Sequence, residues 1–192
     1  MEKKTSFESS QEVISYLQQG NDQFVNNIIN TGDVSQEKRT STAQNGQHPY
    51  ATIVTCSDSR VPAEHIFNAG IGELFVIRTA GNVIGDHELG SIEYGAEHLN
   101  TKLVVVLGHT QCGAVDAALN SENHGYIKTI TDKILSCVPQ NCDPREAEKL
   151  NVQNSINDIL KSDIMTELVN TDKTRVVGAI YDIQTGKVSF ME

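Results

Sequence analysis

The sequence predicts an α/β fold: a mostly parallel sheet of four strands plus an antiparallel edge strand, flanked by helices. Three observations carry this. The short runs Ala51–Thr55, Leu74–Ile77 and Leu103–Leu107 show no apolar/polar alternation, so each reads as a strand covered on both faces. Segments with helical spacing separate them, and strands joined by such crossovers pair in parallel. Near the end, "RVVGAIYDIQTGKVSF" holds two strands around a Gln184-Thr185-Gly186 turn, which adds an antiparallel edge.

Taken in order, "SSQEVISYLQQGNDQFVNNIIN" places Val13, Leu17, Phe24 and Ile28 close to helical spacing. That predicts one helix, or two joined at Gly20. Residues 1–45 are read as an N-terminal helical arm and residues 46–192 as the α/β core of a single domain. After the first strand, Val61-Pro62 opens a short helix, with the proline suited to its first turn. "GSIEYGAEHLN" reads as a helix before the third strand and "TQCGAVDAALN" as one after it. Residues 121 to 150 are polar and poorly patterned, and no element is assigned there. "NVQNSINDILKSDIMTELV" reads as one amphipathic helix.

With 192 residues the chain is long enough for one domain with a real core. Its 15 Lys plus Arg against 25 Asp plus Glu give a net charge of -10. That argues against nucleic acid or an anionic membrane as the main partner, since both call for a basic surface. "MEKKTSFESSQE" lacks the apolar core of a secretory signal, and no apolar run approaches the roughly 20 residues of a membrane helix. A cytoplasmic setting is expected. There the four cysteines are better suited to metal than to disulfides.

Chemistry concentrates in two stretches. In "TCSDSR", Cys56, Asp58 and Arg60 share one side if the chain stays extended. The alternative is a core cysteine followed by a Ser57-Asp58-Ser59 turn. In "LGHTQCGAV", His109 and Cys112 lie three apart at a predicted helix start, which would put both on one face. A helix N-terminus also favours a thiolate at Cys112. Alone, His109 could be a turn histidine and Cys112 a packing residue; together they form H-x-x-C, half of a zinc site. In open parallel sheets, ligands bind beyond the carboxyl ends of strands where the strand order reverses. If the first and third strands are neighbours, Cys56, His109 and Cys112 supply three tetrahedral zinc ligands. The fourth position is then open to water or closed by Asp58.

These motifs resemble the β-class carbonic anhydrases: "CSDSR" with "HTQCGA" some fifty residues later, supported by "GELFVIRTAGN", "SIEYGAEHL", "LQQGNDQF" and "VVGAIYDIQTGKV". The resemblance implies one Zn2+ per chain held by Cys56, His109 and Cys112, hydrating carbon dioxide to bicarbonate and a proton. Zinc-bound hydroxide would be oriented by Asp58, itself held by Arg60. In the family's closed form Asp58 is instead the fourth ligand. Gln47 in "GQHPY" matches a glutamine that binds substrate oxygen, often across a dimer interface. Phe75 and Tyr94 match pocket residues of the plant-like subclass, though each reads equally as packing. Gly113 would let a backbone N–H approach the pocket, or is a packing glycine. The closed subclass carries a tryptophan three residues before its first zinc cysteine; here Ile53 stands there and the chain has no Trp, which favours the open form.

Two thiolates cancel the charge of the metal, so the rate profile should be more alkaline than that of a three-histidine zinc site. The resemblance further implies a homodimer or dimer of dimers, with the apolar face of residues 13 to 29 buried between subunits. Hydrolysis of carbon disulfide or carbonyl sulfide on the same site is an alternative, as is a non-catalytic zinc protein. The latter would need four closed ligands and has no use for an Asp58–Arg60 pair. Cys137 and Cys142 read as free thiols, and His48, His65, His87, His98 and His124 as surface or packing residues.

Overall fold

Every residue of Ala51–Cys56 (β1) and Leu103–His109 (β3) is buried, because helices cover both faces of the sheet they centre. The computed structural model describes residues 4, 6–28, 32–121 and 124–191. The remaining elements are α1 (Ser10–Val25), α2 (Gln36–Asn45), α3 (Ala63–Ile66), β2 (Leu74–Thr79), α4 (Asp86–Glu93), α5 (Gly113–Leu119), α6 (Ile127–Leu135), α7 (Pro144–Ile159), α8 (Asp163–Asn170), β4 (Arg175–Tyr181) and β5 (Val188–Phe190). Strand order is β2-β1-β3-β4-β5. Pairings are parallel up to β4 and antiparallel between β4 and β5, as the unalternated runs and the terminal hairpin predict.

Alternate side chains of each strand enter opposite layers. Ile53, Val105 and Leu107 pack with Val13, Leu17, Ile66 and Phe67 of the α1/α3 layer. Val54, Val104 and Val106 pack with Ile92, Val152, Ile156 and Met165 of the α4/α7/α8 layer. From β1 the chain crosses to β2 on one side and then to β3 on the other. The strand order therefore reverses between β1 and β3, and both end there in a metal-ligand type, Cys56 and His109. At that end α7 comes close to the sheet. A Cβ on Gly108 would stand 2.5 Å from Val152 Cγ2 and one on Gly178 2.9 Å from Val152 Cγ1.

Several elements differ from the sequence reading. Of the two readings of the first segment the single helix holds, and Gly20 does not divide α1. Lacking a Cβ, it lets the helix rest on the α3 turn, where an added Cβ would lie 2.1 Å from the Phe67 carbonyl oxygen. Gly20→Ala is therefore expected to destabilise the fold by about 1–3 kcal/mol through overpacking, read as a lower denaturant midpoint. The α1 face expected between subunits is covered at Val13, Ile14 and Leu17 by the chain's own sheet, while Val25 and Ile28 stay exposed. Ile29 and Asn30 lie outside the described residues.

Pro62 caps α3 rather than entering it, and "SIEYGAEHL" ends in a π-helical turn at Tyr94–His98. The unassigned stretch contains α6 and the start of α7. Asp143 caps α7 by accepting the N–H groups of Arg145 and Glu146, with Pro144 at the first position. The single helix read over residues 151–169 is thus two, α7 ending at Ile159 and α8 beginning after its Ser162 cap. Among the described residues no helix is long and apolar enough to cross a membrane.

Candidate metal centre

Beyond Cys56 the chain turns instead of staying extended. The Asp58 carboxylate accepts the Arg60 backbone N–H at 2.8 Å, and the Asp58 carbonyl accepts from Val61 at 3.0 Å. The turn chemistry of Ser57-Asp58-Ser59 is thus real, and it also swings Asp58 towards β3. Arg60 grips that carboxylate at two points, Nε to Oδ1 at 2.9 Å and Nη2 to Oδ2 at 2.6 Å. A guanidinium fork and a carboxylate fit this geometry as a pair. From β2, Arg78 donates to the carbonyls of Cys56 at 3.1 Å and Asp58 at 2.7 Å, fixing the turn from behind.

His109 and Cys112 do not share a helix face. His109 is the last residue of β3 and Cys112 caps α5. They converge because Gln111 takes a left-handed φ of 56°, which reverses the chain in two residues. Such a conformation is uncommon for a non-glycine residue. Arg60 Nη2 donates to the Gln111 carbonyl at 3.1 Å, so one guanidinium ties the Asp58 turn to the Cys112 loop.

The ligand atoms of Cys56, His109 and Cys112 lie within 4.8 Å of one another, and the three residues are 4%, 1% and 3% exposed. His109 Nδ1 lies 3.0 Å from the Thr110 carbonyl, which can only accept. Nδ1 therefore carries the proton, leaving Nε2 as a lone pair aimed at the cluster. That atom is buried with no hydrogen-bond partner among the described residues. An orphaned imidazole nitrogen between two thiols is costly in an empty protein interior and suits a tetrahedral N/S-loving cation, so the donor set fits zinc. Asp58 Oδ2 lies 4.0 Å from His109 Nε2.

Electrostatics agree with this arrangement. Without metal the two neighbouring thiols share one negative charge: Cys56 is pulled down, first by the Cys112 thiol and against burial, whereas Cys112 is pushed up by Cys56 and by burial. The thiolate therefore sits on Cys56 and not, as the helix start suggested, on Cys112. Arg60 holds the Asp58 carboxyl at about 2, also against burial. This lies below the unfolded value of about 3.9, so the pair stabilises the fold above about pH 4, and that contribution is lost as pH falls towards 2. Arg60 is half exposed, which keeps the effect small. In the metal-free protein, Asp58→Asn is expected to flatten the acid limb of stability, measured by thermal unfolding from about pH 5 to about 2.5.

Of the other sequence candidates, Gly113 directly follows Cys112 at the start of α5. Phe75 pairs with Thr52, four positions before Cys56 and so about 13 Å along the strand. Its ring meets that of Tyr94 at 5.9 Å, and Tyr94 is 45% exposed. Gln47 is exposed between α2 and β1. Gly113 opens α5 with nothing within 4 Å of an added Cβ. Cys137 and Cys142 are free and half-buried. Sequence reasoning missed Arg78, although a charge inside the apolar run "FVIRTAGN" was a signal, and it missed Gly81, whose N–H donates to Cys56 Sγ at 3.2 Å.

Residues 51–188 match the family described as carbonic anhydrase. The chain is 36% identical over 182 residues to carbonic anhydrase 2 of Mycobacterium tuberculosis, an alignment covering 89% of this chain and 87% of that protein. It is 33% identical over 184 residues to a carbonic anhydrase of Mycolicibacterium smegmatis, covering 90% and 88% respectively. Its structure is similar to that of a β-carbonic anhydrase of the fungal pathogen Aspergillus fumigatus, with a TM-score of 0.71, 29% identity and 81% of each chain covered. A matched segment spanning most of the chain, relatives at this identity and a Cys-His-Cys cluster at the strand switch lead to one conclusion: the chain belongs to the carbonic anhydrase family, in its β class.

Proposed function

We propose that this protein catalyses the reversible hydration of carbon dioxide to bicarbonate and a proton, with one Zn2+ per chain held by Cys56, His109 and Cys112. The observation that carries this reading is the buried His109 Nε2, which has no hydrogen-bond partner among the described residues and lies within 4.8 Å of two thiols, beside a carboxylate clamped by Arg60. When bound, zinc supplies the Lewis acidity that makes water a nucleophile near neutral pH.

The residues do the orienting. Ionised Asp58 can only accept a hydrogen bond, so the attacking water turns its proton to Asp58 and a lone pair to the carbon. Arg60 sets the direction of that carboxylate, and its fork cannot be reproduced by lysine. The two-point grip also supports the open form, with Asp58 held on Arg60 and not on the metal. Gly113 opens α5, where a first-turn N–H has no intrahelical acceptor, and offers that N–H to a substrate oxygen.

Gln47, Phe75 and Tyr94 serve a second subunit's pocket in this reading, which makes the working unit at least a homodimer. The exposure of Tyr94 and the distance of Phe75 from Cys56 along β1 support it. A monomeric mass by sedimentation at about micromolar concentration would remove those three residues from the site. A reducing compartment such as the cytoplasm would keep the cysteines, all free here, competent for metal.

The test is stopped-flow carbon dioxide hydration by the zinc-loaded protein from about pH 6.5 to about 9. A smooth rise towards alkaline pH is expected, because two thiolates offset the metal's charge and leave less of it to acidify water. Abrupt onset above about pH 8 would instead make Asp58 a gating ligand. Absence of turnover at every pH, with zinc confirmed, would sink the proposal.

A further inference from the structure

α7 carries four buried polar side chains; Asp158, near its end, pairs with Lys133 and Lys161, and the other three, Glu148, Asn151 and Ser155, are exposed by only 4%, 2% and 1%. Spacings of three and four residues bring them to one stripe of the helix. Their α7 neighbours Val152, Ile156 and Ile159 belong to the apolar core. A helix that served only to cover the sheet would be apolar along the stripe too, since burying polar groups is unfavourable unless each finds a partner. Each does, and the partners lie on the two loops that surround the thiols.

Glu148 Oε1 accepts the Cys112 backbone N–H at 3.2 Å. Asn151 Nδ2 donates to the Gly81 carbonyl at 2.7 Å, and the Gly81 N–H in turn donates to Cys56 Sγ at 3.2 Å. Ser155 Oγ donates to the Asn82 carbonyl at 2.9 Å. Both loops so held contain left-handed backbone: Gly81 at φ 68° and Asn82 at 48° on one side, Gln111 at 56° on the other. For the two non-glycine residues this conformation is uncommon and persists where surrounding contacts over-determine it.

We propose that the Glu148–Asn151–Ser155 stripe of α7 positions both thiol ligands, Cys112 through Glu148 and Cys56 through Asn151 and Gly81, and thereby sets how tightly the centre holds its metal. The inference rests on Cys56, His109 and Cys112 being the zinc ligands. The three α7 residues are positioning residues: they touch the loops, not the metal or the substrate. Groups that orient metal ligands in this way typically govern affinity as well as activity.

The experiment follows zinc transfer from the holoenzyme to a chromogenic chelator in wild type, Glu148→Ala, Glu148→Gln, Asn151→Ala and the packing control Val152→Ala. Glu148→Ala and Asn151→Ala are expected to weaken zinc binding by about 10- to 100-fold. Glu148→Gln, which keeps an acceptor oxygen, should stay near wild type. Val152→Ala should lower the unfolding temperature without loosening zinc. With cobalt(II) in place of zinc, Asn151→Ala should also shift the thiolate-to-metal charge-transfer band, because the Gly81 N–H is no longer held on Cys56. If Glu148→Ala does not fold, Glu148→Gln and Asn151→Ala carry the test. The proposal is overturned if the alanine variants loosen zinc no more than Val152→Ala, or if Glu148→Gln is as weak as an alanine. A wild type that takes up neither zinc nor cobalt would overturn the reading of the centre itself, whereas tight wild-type binding with unaffected variants would remove only the stripe.

Discussion

Asp58→Asn is expected to keep zinc bound and to lower carbon dioxide hydration by roughly 10²- to 10⁴-fold, the range for losing a positioned proton-handling group. The substitution preserves size but replaces one acceptor oxygen with an NH2 donor. Arg60 Nε and Nη2 now each point at a carboxylate oxygen, at 2.9 and 2.6 Å, so an amide of either orientation sets two donors against one another. The side chain then swings away from Arg60 or presents a donor to the attacking water, and in both cases the water's lone pair loses its aim. Zinc content by metal analysis and turnover by stopped flow separate the outcomes. Lost zinc would make Asp58 a metal ligand, and unchanged turnover would remove it from the chemistry. Arg60→Lys should fall between wild type and Asp58→Asn, since a point charge holds the carboxylate without fixing its plane.

Leu17→Ala is expected to destabilise the fold by about 2–5 kcal/mol, lowering the unfolding midpoint by about 10 °C for a chain of this size. Leu17 is fully buried in the layer formed by α1, α3 and the sheet, so truncating it opens a cavity within one subunit. The loss should therefore be the same at protein concentrations about 10-fold apart, because an interface contribution would scale with association. A destabilisation that disappears at high concentration would return this face of α1 to a contact between subunits.

β1 and β3 were legible because a run covered on both faces has a local signature: apolar, unalternated and short; β2 carries the same signature but is an edge strand, mostly half-buried. α7 was legible only from residue 151 onwards. Its first turn is polar, and its start depends on the Asp143 cap and Pro144, a signal outweighed by the mixed composition of the segment. Helix spacing suggested the right partners, His109 and Cys112, for a different geometric reason. They meet through a strand end and a left-handed Gln111, and no periodicity encodes a single reversed φ. Extended alternation likewise put Asp58 beside Cys56, whereas a turn brings it there.

What the sequence determined by itself was chemical and local: two thiols and an imidazole, a carboxylate beside an arginine, an acidic surface, and the alternation of apolar strands with helices. What the tertiary structure decided was convergence. β3 lies beside β1, Arg60 reaches Gln111, Arg78 holds the Cys56 turn, and α7 delivers Glu148 and Asn151 to two loops distant in the chain. Those relations follow from layers packing at a strand-order reversal, with glycines in β3 and β4 letting α7 approach. Period and spacing report only on neighbours within a few residues, and contacts of this kind are fixed by how the layers fit.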